Sequence, residues 1–208
     1  HLCRFANLWR TTGDFWDDWN DLYQAFEICH QWEGVGGPGH WPDADVLPFG
    51  HLALRSTERG WGDRWTHFTQ DEQIALMTLW CLFRSPLMVG AELNDNDEFT
   101  LNLLTNDEVL ALLSESRNAR QVYREERYNY AGEVIVWQAE NEQGKTYCAV
   151  FNCGPKARKL AVQLSSALGL EGAYTGRDLW AHEEIPVGRA LEVEVPSHGA
   201  RLVKLTKK

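Results

Sequence analysis

Trp9-Arg10-Thr11-Thr12-Gly13-Asp14 and, further on, Gly37-Pro38-Gly39-His40-Trp41-Pro42-Asp43-Ala44-Asp45 are the stretches whose reading decides the fold. Each sets carboxylates beside tryptophan and glycine at the end of a short apolar run. Leu2 to Trp9 reads as a buried strand, and the polar stretch Arg10 to Gly13 ends it. Phe15, Trp16, Trp19, Leu22, Tyr23, Phe26 and Cys29 then recur at three- and four-residue steps, which predicts a helix from about Asp17 to Trp32. Asp17, Asp18 and Asp21 load its first turns with negative charge, favourable against the helix dipole. Gly34 to Gly39 leads into a second short strand around Trp41 to Leu47.

A long polar loop follows, holding Arg55, Arg59, Trp61, Asp63, Arg64 and Trp65. Thr69-Gln70-Asp71-Glu72 is a capping-box signature, and the helix it opens, to about Arg84, is apolar nearly all round and so should be buried on more than one side. Ser85-Pro86 breaks that helix. Leu87 to Gly90 reads as a third buried strand, and Asn96-Asp97-Glu98 opens a helix pair running to about Ser116. Strand and helix alternate three times, with acids and tryptophans just past strand ends. Such a pattern predicts an α/β fold with a parallel sheet, whose ligand site lies at the C-terminal strand ends. Three units cannot close a barrel, which needs eight.

Beyond residue 118 the rhythm changes. Glu133 to Ala139, Thr146 to Asn152, Arg158 to Leu164, Leu191 to Val195 and Arg201 to Leu205 are short runs separated by turn residues, the spacing of an antiparallel β-sandwich. Charge changes with it. Residues 1–118 hold seven Arg and no Lys against 19 Asp and Glu, a net of −12; residues 119–208 carry +2. Eight of the ten tryptophans precede residue 81. The expected division is therefore 1–118 and 119–208. An acidic first half repels phosphate backbones, so nucleic acid is not an expected partner. The longest apolar run, Ile74 to Phe83, is too short to span a bilayer, so no membrane partner is expected either. The five cysteines lack zinc-site spacing, and no metal or cofactor is expected; Cys148 and Cys153 could meet across a turn or simply occupy the core. His1 opens directly into the first strand, as in a processed chain or a fragment.

These residues carry a resemblance. Trp9-Arg10-x-x-x-Asp14, Gly-Pro-Gly-x-Trp-x-Asp-x-Asp-x-Leu over 37–47 and Arg84-Ser85-Pro86-Leu87-Met88 resemble family 27 glycoside hydrolases, the α-galactosidases and α-N-acetylgalactosaminidases. Val150-Phe151-Asn152, Arg177-Asp178-Leu179-Trp180 and His198-Gly199-Ala200-Arg201-Leu202 resemble the β-sandwich that follows that barrel. The resemblance implies that 1–118 are the last three βα units of a (β/α)8 TIM barrel and 119–208 the C-terminal antiparallel β-sandwich. It makes Asp14 the catalytic acid/base, Arg10 and Asp45 sugar ligands, and Trp41 a wall of the pocket. It also implies that the nucleophile, an aspartate on an earlier strand, lies upstream of His1, so that the missing N-terminal half of the barrel is required and the isolated chain is inactive. An α-galactoside oligosaccharide or glycoconjugate is the implied substrate, and a secreted or periplasmic location goes with it. His40, Pro42 and the long 55–67 loop depart from the family pattern.

Bare chemistry offers other readings of the same residues. Asp14, beside Trp9, Phe15 and Trp16, stands where desolvation favours a protonated acid, or else it caps a helix. Asp45 is a sugar ligand or a turn residue, with Asp43 as its supporting carboxylate. Arg10 can pair with Asp14 four residues on. Trp61 and Trp65 can stack a second sugar or anchor their loop. For the whole chain, the alternatives to an α-galactosidase are an α-N-acetylgalactosaminidase and a non-catalytic carbohydrate-binding or structural fragment.

Overall fold

A computed structural model describes residues 1–56, 62–125 and 133–208. They form two compact units, His1–Asn106 and Asp107–Lys208. Trp61 and Arg59 lie outside the described residues.

The first unit runs α1 (Leu2–Phe5), β1 (Leu8–Arg10), α2 (Trp19–Gln31), β2 (Trp41–Asp43), β3 (His51–Leu52), β4 (Arg64–Trp65), α3 (Gln70–Phe83) and α4 (Glu98–Leu104). β1 and β2 pair in parallel, Leu8 with Trp41 through Arg10 with Asp43. The chain beyond β2 meets a third segment in the same sense, by a single parallel bridge between Leu47 and Val89. Leu47 N–H donates to the Met88 carbonyl at 2.7 Å, and Gly90 N–H to the Leu47 carbonyl at 2.9 Å. The long strand expected over Leu2 to Trp9 is corrected: the first residues form an exposed helical turn, and only Leu8–Arg10 join the sheet. The run marks neither burial nor pairing, since Leu2, Phe5 and Leu8 are exposed, and local apolarity cannot say how many residues find a partner strand.

Helix α2 begins one turn later than its apolar stripe does, because Asp18 caps it by accepting from Asn20 N–H at 2.8 Å. Helix α3 carries the full capping box. The Thr69 hydroxyl accepts from Glu72 N–H at 3.3 Å, and the Glu72 carboxylate accepts from Thr69 N–H at 2.8 Å. Of its 14 residues only Gln70, Asp71 and Ile74 escape full burial, as its all-round apolarity requires. Arg84 ends it in the left-handed conformation. Among the described residues no helix is long and apolar enough to cross a membrane.

The second unit opens with α5 (Asp107–Leu110) and α6 (Leu112–Glu115). It continues through β5 (Ser116–Arg124), β6 (Val134–Asn141), β7 (Thr146–Asn152), β8 (Arg158–Gln163), α7 (Leu164–Leu168), β9 (Tyr174–Asp178), β10 (Glu183–Ile185), β11 (Ala190–Val195) and β12 (Ala200–Lys207). A six-stranded antiparallel sheet has the order β10-β9-β12-β7-β6-β5, and β8 pairs with β11 in a second. Val134, Val136, Cys148, Val150, Val203 and Leu205 of the large sheet pack with Val162, Leu191 and Val195 of the small one. Alternation supplies that face: Val136 stands opposite Val150, and Val203 opposite Cys148. Every residue of β7 is buried, so this strand reads as a continuous apolar run rather than an alternating one. β5 starts at Ser116, so the composition change at residue 118 falls inside a strand of this unit. All five cysteines are free thiols, Cys148 and Cys153 included. Burial pushes the Cys148 and Cys81 thiols up to about 12.

Candidate active site

Arg10, Asp14 and Asp45 come together at the C-terminal ends of β1 and β2. Arg10 is the last residue of β1, and its Nη2 donates to the Gly13 carbonyl at 2.6 Å and to Asp45 Oδ2 at 2.7 Å. Asp14 Oδ1 lies 3.5 Å from the same nitrogen. Asp45 Oδ2 also accepts from Phe15 N–H at 2.7 Å. The peptide groups on both sides of Asp14 are thus tied down, Gly13 by Arg10 and Phe15 by Asp45. The Phe15 ring anchors the turn further, with its centroid 5.1 Å from the Trp80 ring and 6.2 Å from Phe68.

Burial separates the two carboxylates by role. The Asp45 side chain is 9 % exposed and that of Asp14 is 88 % exposed. The desolvation expected around Asp14 is therefore corrected. Phe15 turns into the core, Trp9 packs on Trp32, and neither covers the acid. Asp14 is also not a helix cap, since Asp18 fills that position. Arg10 does pair with Asp14, but its hydrogen bonds go to Asp45 and Gly13. Among the described residues no partner engages its Nε or Nη1, nor Asp45 Oδ1, so donors and an acceptor remain beside the exposed acid.

Asp45 holds its place through strong local constraint. Its φ is 84°, a region that residues with a Cβ rarely adopt. Its N–H donates to Asp43 Oδ1 at 2.8 Å, and its carbonyl accepts from Trp80 Nε1 at 2.9 Å. Asp43 is thus a buried support for Asp45, while its own carbonyl accepts from Thr11 N–H. Ser85 Oγ accepts from Ala44 N–H at 2.9 Å, joining the end of α3 to the same turn. Trp41 is not brought to this cluster. It pairs with Leu8 at the opposite end of the β1–β2 ladder, and its ring lies under the Arg84 guanidinium at 4.8 Å.

A second set of contacts surrounds the loop that follows, and sequence reasoning missed it. Asp17, read as a charge near a helix start, has a side chain only 2 % exposed. It accepts from Arg64 Nη2 at 2.6 Å and from His67 N–H at 2.8 Å. His51 bridges Asp63 through Nε2 and Asp95 through Nδ1, and its ring stacks on Trp65. The hydrogen bonds that Asp63 and Asp95 accept from the ring favour the imidazolium, raising the His51 pKa above its usual 6.5. The clue available in the sequence was the density of Arg, His and Asp in a loop of this length. Partners 44 and 47 residues apart were not legible there.

Known proteins resemble the chain along nearly its whole length. A profile described as Alpha galactosidase A matches residues 1–115, and one described as Alpha galactosidase C-terminal beta sandwich domain matches residues 131–205. The crystal structure of a GH27 β-L-arabinopyranosidase from Geobacillus stearothermophilus is 47 % identical with a TM-score of 0.91, over 99 % of this chain and 46 % of that one. A putative alpha-N-acetylgalactosaminidase from Bacillus halodurans is 40 % identical with a TM-score of 0.83, over 95 % of this chain and 46 % of that one. An alpha-galactosidase of Oryza sativa subsp. japonica is 28 % identical over 98 % of this chain and 45 % of its own length. The chain spans about half the length of the first curated relatives it matches. A family profile covering more than half of its residues, on a matching fold, shows that the chain belongs to the alpha-galactosidase A family of glycoside hydrolases.

Proposed function

We propose that this chain carries the acid/base half of a retaining glycosidase that releases terminal α-linked galactose. The observation that carries the reading is the clamp around Asp14, which leaves one exposed carboxyl projecting from a tied-down turn, beside Arg10 donors and an Asp45 Oδ1 that no described residue engages. In the first step Asp14, as the acid, protonates the glycosidic oxygen while a second carboxylate attacks the anomeric carbon. The bond to the leaving group breaks and a glycosyl ester forms. In the second step ionised Asp14 takes a proton from water, which attacks the same carbon and releases the carboxylate. Arg10 and Asp45 hold sugar hydroxyls, each charge-assisted hydrogen bond contributing ~1.5–3 kcal/mol.

The nucleophile comes from outside these 208 residues, on the rest of a (β/α)8 barrel to which the first unit contributes its last strands. Retaining chemistry places the two carboxyl groups ~5–5.5 Å apart. The nearby carboxylates have other roles in this reading: Asp45 binds Arg10 and Phe15 N–H through Oδ2 and a sugar hydroxyl through Oδ1, and Asp43 supports Asp45 N–H. The sandwich expected over 119–208, whose first strand starts at Ser116, takes a structural role in this reading. Trp41, stacked on Arg84, supports the strand rather than the sugar.

A second reading of the glycone has its own support. The chain is 47 % identical to a β-L-arabinopyranosidase and 28 % identical to the rice alpha-galactosidase. The two sugars share the configuration of their ring hydroxyls and differ in the hydroxymethyl group at C5. Aryl α-D-galactopyranoside, aryl β-L-arabinopyranoside and the N-acetyl-α-D-galactosaminide, offered to the whole protein that contains this segment, separate the readings by kcat/KM. Refusal of all three overturns the catalytic proposal and leaves the carbohydrate-binding one. The 208-residue chain by itself should turn over none of them. An enzyme-like rate from it would make one of its own carboxylates the nucleophile.

A further inference from the structure

Trp65 is 47 % exposed, large and apolar, yet its ring is held in place. It stands directly opposite His51 in the β3–β4 pair, and the two rings stack with centroids 5.2 Å apart and planes 12° from parallel. The imidazole is fixed in turn, because Asp95 engages one ring nitrogen and Asp63 the other. Among the described residues His51 is the one ring recorded against the indole, and nearly half of the residue is open to solvent. The neighbouring Arg64 side chain points the other way, into the bond with Asp17. An ordered, half-exposed indole is what a pyranose needs in order to stack, because its apolar C–H face meets a flat ring that has already lost its rotamer freedom.

The loop order says which sugar it meets. In the reaction proposed above, Arg10 and Asp45 hold the glycone. The acid serves the oxygen between the two sugars, so the aglycone lies beyond Asp14. Asp17, three residues past the acid, is where Arg64 and His67 fasten the β3–β4 pair. Three residues span at most ~10 Å, the length of one to two sugar rings. Trp16, between the acid and Asp17, is exposed as well.

We propose that Trp65, stacked on the Asp63–His51–Asp95 bridge, is the platform for the first aglycone sugar and sets a preference for oligosaccharide substrates over simple glycosides. This rests on the glycosidase reading above. The test compares the whole protein with Trp65→Ala and Trp65→Phe on two substrates, an α-galactosyl disaccharide and α-galactosyl fluoride, whose leaving group is one atom. Trp65→Ala should lower kcat/KM for the disaccharide about tenfold more than for the fluoride, and Trp65→Phe should restore most of the difference. Equal effects on both substrates overturn the platform. If the wild-type protein hydrolyses neither substrate, the glycosidase reading fails on its own account. Saturation-transfer NMR with the disaccharide then decides the platform: a signal lost in Trp65→Ala upholds it, and a signal that is unchanged or absent in the wild type refutes it.

Discussion

At φ 84° Asp45 occupies a backbone region that costs ~1–3 kcal/mol for a residue with a Cβ. Four hydrogen bonds hold it there: its N–H to Asp43, its carbonyl from Trp80, and its carboxylate from Arg10 and Phe15 N–H. Asp14 has a different burden. It is exposed, and among the described residues its one charged contact is the 3.5 Å approach to Arg10. The two aspartates should therefore separate cleanly on substitution. Asp45→Ala removes the acceptor of two donors and should lower unfolding free energy by ~1–3 kcal/mol in urea titration; an unchanged midpoint would mean that the clamp contributes nothing. Asp14→Asn should stay within ~0.5 kcal/mol of the parent. In the whole protein it should abolish hydrolysis of glycosides with poor leaving groups and spare the first step for aryl glycosides with acidic ones, since these need little protonation. Equal loss on both classes would remove Asp14 from the acid role.

Helix α3 and the β3–β4 pair show two ways of fixing an element. The helix is fixed locally, by a reciprocal Thr69–Glu72 cap and an apolar surface all round. Thr69→Ala should cost ~1 kcal/mol of unfolding free energy, and a thermal melt that does not move would show that burial alone holds the N-terminus. The β3–β4 pair has only two residues per strand and is fixed by charge, His51 between Asp63 and Asp95 and Asp17 beneath Arg64. His51 has its folded pKa raised above 6.5. Its contribution is then complete below 6.5 and disappears as pH rises through the higher folded value. Hydrogen exchange at the Leu52 and Arg64 amides should accelerate across that window beyond the intrinsic rise. His51→Gln should flatten the extra dependence, and identical profiles for the two proteins would dismiss the charge bridge.

For the molecule as a whole, the second unit packs its two sheets around one core and has an electrostatic fastening of its own. Glu108 on α5 accepts from Arg177 Nε at 2.6 Å and Nη2 at 2.7 Å on β9, with His182 on its other side. Arg177 and the hydrogen bond from His182 lower its pKa from 4.5 to about 2, against the opposing effect of burial. A depressed carboxylate contributes stability above its unfolded pKa and loses it as the proton returns. The second unit should therefore weaken progressively between pH 4.5 and about 2. Glu108→Gln should lower stability at pH 7 and make it less sensitive to acid in that window. An unaltered acid limb of the stability curve would refute this.

What the chain settles by itself is what neighbours in sequence can decide. The capping box of α3 lies within four residues. The apolar periods of α2 and α3, and the short apolar runs of β6, β7, β8, β11 and β12, likewise needed no knowledge of partners. Arg10 and Asp14, four apart, were legible as a pair, and the family motifs marked Asp45. The rest was decided by tertiary structure, because it depends on free energies of contacts between distant residues. Three residues of the first apolar run enter the sheet since only they meet Trp41–Asp43 in register. β5, β9 and β10 carry weak local signals and exist because an already formed edge offers them hydrogen-bond partners. Asp17 is buried because Arg64, 47 residues away, neutralises it. Trp41 stands apart from the acids because a parallel ladder keeps its two ends apart. The decisive contact, Arg10 with Asp45 across 35 residues, forms only when two strand ends lie side by side, and no local preference encodes that neighbourhood.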